Sequence, residues 1–274
     1  MTAGRFSLAG RRAFVTGASS GIGRAIALAL HELGATLVLH HFGDPEGAAA
    51  SARAVGGAPV FEADFTRAGA ATALAGAVLD RHGPIDVLIA NAAIERRAAW
   101  TALTEAEVGA HVSANLLSLI ALTQGFVPAM AERGWGRVVA TGSVMAARPR
   151  AEALAYAAMK SAQFTALRSI AREVGPRGVT MNVVSPGAIQ IERNAARYAD
   201  PDFRRAVTAK IPLARPGTPD DVAGAVAFLC TDAAAYITGA NIPVDGGWTI
   251  GDAPGALPGD GSSSETRPAA VERT

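Results

Sequence analysis

The chain holds a single cysteine, Cys230, in 274 residues, which excludes an intrachain disulfide and any cysteine-based zinc cluster. Charge of one sign is equally scarce. Charged residues are 18% of the total, the net charge is +1, and no long run carries one sign, so nothing recommends nucleic acid or an anionic membrane as the main partner. No uninterrupted apolar stretch approaches the roughly 18 residues that span a bilayer. The opening MTAGRFSLAGRRAFVTG reaches a strand by about Ala13, without a charged-then-apolar export pattern before it. A soluble, cytoplasmic protein is expected. His31, His40, His82 and His111 show no ligand spacing with acids, so no metal site is expected either.

What the chain does have is apolar content for one substantial core, since half its residues are apolar. Short, wholly apolar runs alternate with longer helical segments. Ala13–Thr16, Thr36–His40, Pro59–Glu62, Val87–Asn91, Val138–Gly142, Val179–Val184 and Ile242–Val244 read as strands buried on both faces. Ile22–Leu33, Pro45–Val55, Arg67–Arg81, Glu105–Arg133, Ala153–Val174 and Pro219–Thr231 read as helices. Gly34, Gly134 and Gly175-Pro176 supply stops, and Thr218-Pro219-Asp220-Asp221 supplies a capped start. The alternation predicts an α/β doubly wound, mostly parallel sheet with helices on both faces, in one catalytic domain over residues 1–250. Residues 251–274, GDAPGALPGDGSSSETRPAAVERT, have little to bury and are expected to form a flexible tail.

Two motifs carry chemistry. TGASSGIG (Thr16–Gly23) joins the first strand to the first helix, where glycines allow a tight turn and close backbone approach, and free helix amides face a pyrophosphate. Further on, Tyr156 and Lys160 stand four residues apart in YAAMK, so both lie on one helix face. A tyrosine at its ordinary pKa of about 10 is a poor base near neutrality, and an adjacent ammonium favours the phenolate. Ser143 ends the strand segment RVVATGS and is placed to hold a carbonyl oxygen beside that phenol. Together these point to carbonyl–alcohol redox chemistry with a nicotinamide cofactor.

On those motifs, from Gly10 to Trp248, the sequence resembles the short-chain dehydrogenase/reductase family in its compact single-domain branch. The resemblance implies a seven-stranded sheet, NAD or NADP, and a catalytic set of Asn115, Ser143, Tyr156 and Lys160, with Asn115 supporting a water that connects Lys160 to solvent. For the cofactor it implies Gly17, Ser19, Ser20, Gly21, Ile22 and Gly23 in the turn. Asp64 and Phe65 of FEADFT and Asn91 and Ala92 of IANAA are assigned to the cofactor as well, as are Pro186, Gly187 and Ile189 about the SPG loop. Ile191 stands where the family often has a threonine. His41 occupies the usual position of the aspartate that reads the ribose, and Phe42 and Ser20 replace the basic residues of NADP users. A missing phosphate clamp leans the reading to NAD.

The segments expected over the substrate carry Glu95, Arg96, Arg97 and Trp100, then Met145, Arg148 and Arg150, then Gln190, Glu192, Arg193, Asn194 and Arg197. Few are apolar, which argues against a steroid or long acyl chain, and arginine forks suit carboxylate, sulfonate or phosphate oxygens. The closing stretch IPLARPGTPDDVAGAVAFLCTDAAAYITGANIPVDGG looks most like sugar and polyol dehydrogenases and 3-oxoacyl carrier-protein reductases. The expected substrate is a secondary alcohol or ketone of a sugar or polyol bearing an anionic group. The competing readings are a 3-oxoacyl-thioester reductase and a non-catalytic dinucleotide sensor. Ala114, Leu117, Ala121 and Ala166 give the long helices apolar residues on more than one face, so a homotetramer is expected.

Overall fold

The computed structural model describes residues 4–250. Strands β1 (Arg12–Thr16), β2 (Thr36–His41), β3 (Val60–Glu62), β4 (Val87–Ala90), β5 (Gly136–Thr141), β6 (Val179–Pro186) and β7 (Asn241–Val244) form one parallel sheet in the order β3-β2-β1-β4-β5-β6-β7. All of β4, β5 and β6 is buried, as a sheet covered on both faces requires. One face carries α1 (Gly21–Glu32), α2 (Pro45–Ala54) and α9 (Pro219–Leu229), where Ile26, Leu30, Val226 and Leu229 pack on Val15, Leu37 and Leu39. The other carries α3 (Ala70–His82), α5 (Ser118–Glu132) and α6 (Leu154–Val174), where Leu74, Leu122, Phe126 and Leu167 meet Phe14, Leu88 and Val138. Phe14 and Phe126 cross edge-on with centroids 5.3 Å apart. The strand order reverses between β1 and β4, and that reversal opens a crevice at the carboxyl ends of the strands.

The helix expected over Glu105–Arg133 is divided. It begins as α4 (Glu105–His111), started by a reciprocal Thr104–Glu107 capping box, widens into a π turn over Val112–Leu117, and resumes as α5. The span Glu105–Glu132 is long and apolar enough to cross a membrane by length and composition. Much of it is packed against the sheet and against α3 and α6, as a core helix is.

Two short helices went unforeseen: α7 (Ala195–Ala199) and α8 (Pro201–Thr208). Their signal was present, because Asp200-Pro201-Asp202 has the same cap, proline and first-turn acid as Thr218-Pro219-Asp220. The Asp200 carboxylate accepts from the amides of Asp202 and Phe203. At the end of α6 the left-handed residue is Gly178 (φ +75°), whereas Gly175 remains helical (φ −54°). A 3-10 turn through Gly175–Arg177 postpones the stop by three residues. The tail expected over residues 251–274 lies outside the described residues.

The capped start of α9 forms as expected. Thr218 Oγ1 accepts from the Asp221 amide at 3.3 Å, and Asp221 Oδ2 accepts from the Thr218 amide at 2.7 Å while both its oxygens take the fork of Arg215. Because α9 packs on α1, this cap helps hold the helix whose amino end borders the crevice. Thr218→Ala is expected to cost about 1 kcal/mol of folding free energy in urea titration, and Thr218→Ser to recover most of it.

Candidate active site

Two glycines of the first turn adopt left-handed backbone, Gly17 (φ +64°) and Gly21 (φ +53°), a conformation that other residues enter at a cost. Gly23 is required for a different reason. A Cβ there would lie 2.0 Å from the Gly17 carbonyl oxygen and 2.5 Å from Asn91 Nδ2, so helix and turn approach too closely for any side chain. Asn91 fixes that approach by donating through Nδ2 to the Thr16 and Gly17 carbonyls at 3.0 and 3.1 Å and accepting at Oδ1 from Thr141 Oγ1. Ser20, at the N-cap of α1, makes no side-chain cap, so the first amides of that helix keep their donors for a ligand. They face a cavity of about 400 Å³ lined by Gly17, Ser19, Ser20, Gly21, Ile22 and Gly23. Asp64, Phe65, Asn91, Ala92, Tyr156 and Lys160 also line it. A cradle of uncapped amides that a methyl group would fill fits a dinucleotide pyrophosphate.

His41 does not reach this cavity, contrary to expectation; His40 and Phe42 do. Successive strand residues face opposite sides, which puts His41 on the side of Leu37 and Leu39. There it is 5% exposed, with Nδ1 buried and unpartnered. His40 accepts at Nδ1 from the Gly17 amide at 3.2 Å and donates from Nε2 to the Ala63 carbonyl at 3.0 Å, and its ring stacks on Phe65. Burial lowers its pKa to about 4, so it is a neutral brace between turn and strand. Asp64 lines the cavity while accepting at Oδ1 from the amide and hydroxyl of Thr66, which also makes it a loop cap. Pro186, Gly187 and Ile189 do not line the cavity. Gly187 backs onto Asp245 and Ile189 is packed in the core, and Ile191 and Glu192 take their place.

At the reacting end, α6 delivers Tyr156 half-buried and Lys160 almost wholly buried. Lys160 Nζ donates to the Thr141 carbonyl at 2.6 Å and lies 5.5 Å from the centroid of the Tyr156 ring. Burial pulls the ammonium down to a pKa of about 7. The Tyr156 phenol is pushed up to about 12, by burial first and by the Glu95 carboxylate second; a hydrogen bond with Ser143 and the charge of Arg193 oppose that rise. Ser143 Oγ also accepts from the Met145 amide at 3.1 Å. Asn115 is fully buried in the π turn and does not line the cavity. Its Oδ1 accepts from the Ile94 amide at 2.8 Å and its Nδ2 donates to the Ile94 carbonyl at 3.0 Å, tying that turn to the loop after β4.

The arginines expected over the substrate do not converge. Arg97 is spent on Glu95 at 2.7 Å. The Arg148 guanidinium donates to the Trp248 carbonyl, Arg197 stacks on Phe203 and Gln190 accepts from Arg204. Arg96, Arg150 and Met145 are not among the cavity residues; Glu95 and Arg193 are, and their charges act on Tyr156 in opposite directions. Gln163, which donates from Nε2 to the Asn115 carbonyl, was not foreseen. Its only signal was a polar residue seven positions after Tyr156, on the helix face that also carries Lys160.

The buried lysine has a measurable cost. In the unfolded chain a lysine titrates near 10.4. Here the folded value is about 7, so stability rises with pH between those values, where the unfolded chain holds the extra proton. Lys160→Met is expected to be more stable than wild type at pH 7, with the gain shrinking towards zero near pH 10; thermal melts across that range measure it. Gly23→Ala is expected to abolish dinucleotide binding in a fluorescence titration, whereas Tyr156→Phe should bind within a few-fold of wild type.

Comparison with known proteins follows the same site. A family model described as enoyl-(acyl carrier protein) reductase matches residues 17–249. The chain is 37% identical over 248 residues to a 3-oxoacyl-(acyl-carrier-protein) reductase of Pseudomonas aeruginosa, covering 88% of this chain and 98% of that one. It is 34% identical over 239 residues to nodulation protein G of Azospirillum brasilense, covering 86% and 96%. Among solved structures, an NADP-bound 3-oxoacyl (acyl-carrier-protein) reductase from Agrobacterium tumefaciens C58 superposes with a TM-score of 0.85 at 36% identity, covering 90% and 97%. An NADP-bound putative gluconate 5-dehydrogenase from Beutenbergia cavernae gives 0.83 at 35%, covering 90% and 100%. With its seven-stranded parallel sheet, glycine turn and Tyr156–Lys160 pair, the chain belongs to the short-chain dehydrogenase/reductase family and is an NAD(P)-dependent oxidoreductase acting between CH–OH and keto groups.

Proposed function

We propose that the chain oxidises a secondary alcohol of a sugar acid or similar anionic polyol, or reduces the matching ketone, with Tyr156, Ser143, Lys160 and Asn115 as its catalytic set. The observation that carries the reading is the pair of opposite charges beside the phenol. Of the six arginines in the substrate segments, Arg193 lines the cavity, as does Glu95, and both charges act on Tyr156. An anionic group has Arg193 to bind, while neighbouring hydroxyls have the Glu95 carboxylate as acceptor. The likeness to a putative gluconate 5-dehydrogenase supports the same class. A 3-oxoacyl-thioester reductase is the second reading, favoured by the names of several relatives.

In the oxidative direction Ser143 donates to the alcohol oxygen and Tyr156, as phenolate, removes its proton while hydride leaves the carbon. A bound oxidised dinucleotide supplies the hydride acceptor and a cationic ring that favours the phenolate. That charge matters at the phenol, because burial raises Tyr156 to about 12, far from the phenolate at neutral pH. Tyr156→Phe is expected to lower kcat by at least about a hundredfold at unchanged dinucleotide affinity.

Substrate class is decided by rates on gluconate-type acids, the matching neutral polyols and acetoacetyl thioesters, followed through nicotinamide absorbance. The acids are expected to be best. Arg193→Ala should reduce kcat/KM for them by roughly 10- to 100-fold, and Arg193→Lys by nearly as much, because a point charge cannot reproduce the two-pronged bond. Preference for acyl thioesters, or an unaffected Arg193→Ala enzyme, overturns the sugar-acid reading.

The cofactor reading leans to NAD because Ser20 and Phe42, not cations, border the end of β2 in the cavity. Phe42→Arg is expected to improve KM for NADP about tenfold with NAD little changed. A wild-type enzyme that already prefers NADP defeats it.

The homotetramer reading keeps Leu117 and Ala166 of the residues anticipated and adds others. Ala114 is buried inside the subunit, but Leu117 and Leu154 are half exposed, and Ile120, Val127, Ala166 and Ile170 line an open groove between α5 and α6. A monomer mass by light scattering at micromolar concentration counts against it.

A further inference from the structure

The residue behind the Tyr156–Lys160 pair has no assigned task. Gln163 follows Lys160 by three positions and Tyr156 by seven on α6, so the three side chains share one helix face. It is 2% exposed. Its Nε2 donates to the main-chain carbonyl of Asn115, inside the π turn, where the helical ladder is loosened. That contact settles which end of the amide is nitrogen, because the reversed amide would set oxygen against oxygen. Gln163 Oε1 is therefore a buried acceptor, and it has no donor. Lys160 is the complementary group. Its ammonium carries three N–H donors and its hydrogen bond in the structure is the one to Thr141.

We propose that Gln163 is a positioning residue for the proton-transfer pair. Clamped at its nitrogen end by the Asn115 carbonyl, it presents Oε1 to a water that donates to it and accepts from the Lys160 ammonium. The π turn, Gln163 and Lys160 then form one polar path behind the phenol. Among the described residues, Glu95 and Arg193 are the charged groups that act on Tyr156, and burial shifts Lys160. An acceptor held against the ammonium favours its charged form, which is the form that stabilises the Tyr156 phenolate. The inference rests on Tyr156 and Lys160 being the proton-transfer pair, but not on which alcohol is oxidised.

The test exploits composition, since Lys160 and Lys210 are the only lysines in the chain. Protein labelled with carbon-13 at the lysine ε position gives two resonances, and Lys160 is expected to titrate near pH 7 in the dinucleotide-free wild type. Gln163→Met keeps the length and apolar volume but offers no acceptor of comparable strength, so the Lys160 midpoint should fall by about one pH unit, the worth of about one net hydrogen bond. Gln163→Glu should raise it by at least as much, because a carboxylate then faces the ammonium. A Lys160 midpoint unmoved in both folded variants overturns the proposal. If Gln163→Met fails to fold, Gln163→Glu decides: a raised midpoint supports the path and an unmoved one refutes it. The titration uses neither dinucleotide nor substrate, so its outcome is independent of whether sugar acids are turned over.

Discussion

The central constraint is a lysine side chain held almost wholly out of bulk solvent. Lys160 is 2% exposed, with the Thr141 carbonyl as its hydrogen-bond partner, and taking such a charge out of water costs several kcal/mol unless its donors are met. The surroundings follow from that cost. Thr141 ends β5, and its hydroxyl donates to Asn91, which in turn laces the glycine turn to β1. The carbonyl that holds the lysine and the amide that shapes the dinucleotide cradle thus meet at one residue. The proposed cofactor site and proton-transfer pair are parts of one hydrogen-bonded unit at the carboxyl edge of the sheet.

Burial shifts the ionisable groups of this unit against the chemistry proposed for them. Burial moves the Tyr156 phenol up and the Lys160 ammonium down, away from the charges that proton transfer needs. A bound nicotinamide cation would oppose the rise at Tyr156, because a positive charge favours the phenolate. Stability is sacrificed for this arrangement, as is common where a fold carries a strained or desolvated catalytic group.

The π turn at Val112–Leu117 ties the long α4–α5 segment into the same unit. It brings Asn115 inward, where the side chain binds both polar groups of the Ile94 backbone and the carbonyl meets Gln163. The loop after β4 is thereby fixed, and with it Glu95, one of the two charges beside the phenol. Arg193 lies in the segment after β6 next to Asn194, whose side chain binds the backbone of Ile189 and Ile191. Substrate-facing charge is thus set by backbone anchored from within.

Strand and helix alternation, the glycine turn and the Tyr156–Lys160 spacing were legible in the linear order because each depends on near neighbours: a period of two or 3.6, a left-handed backbone angle, one helical turn. These settled the sheet, the cofactor end and the chemistry. What linear order could not settle was direction and pairing. Whether His40 or His41 faces the dinucleotide depends on which side of β2 meets the turn, and β1 and Phe65 decide that from elsewhere in the chain. Six arginines looked equivalent in sequence, and the tertiary structure separated them: Arg97 is consumed by Glu95 and Arg197 by Phe203, while Arg193 borders the cavity. Gln163 acquires meaning only because a π turn 48 residues earlier places a carbonyl beside it. Local residue type determines what a side chain can do, and long-range packing decides which partner it spends that capacity on.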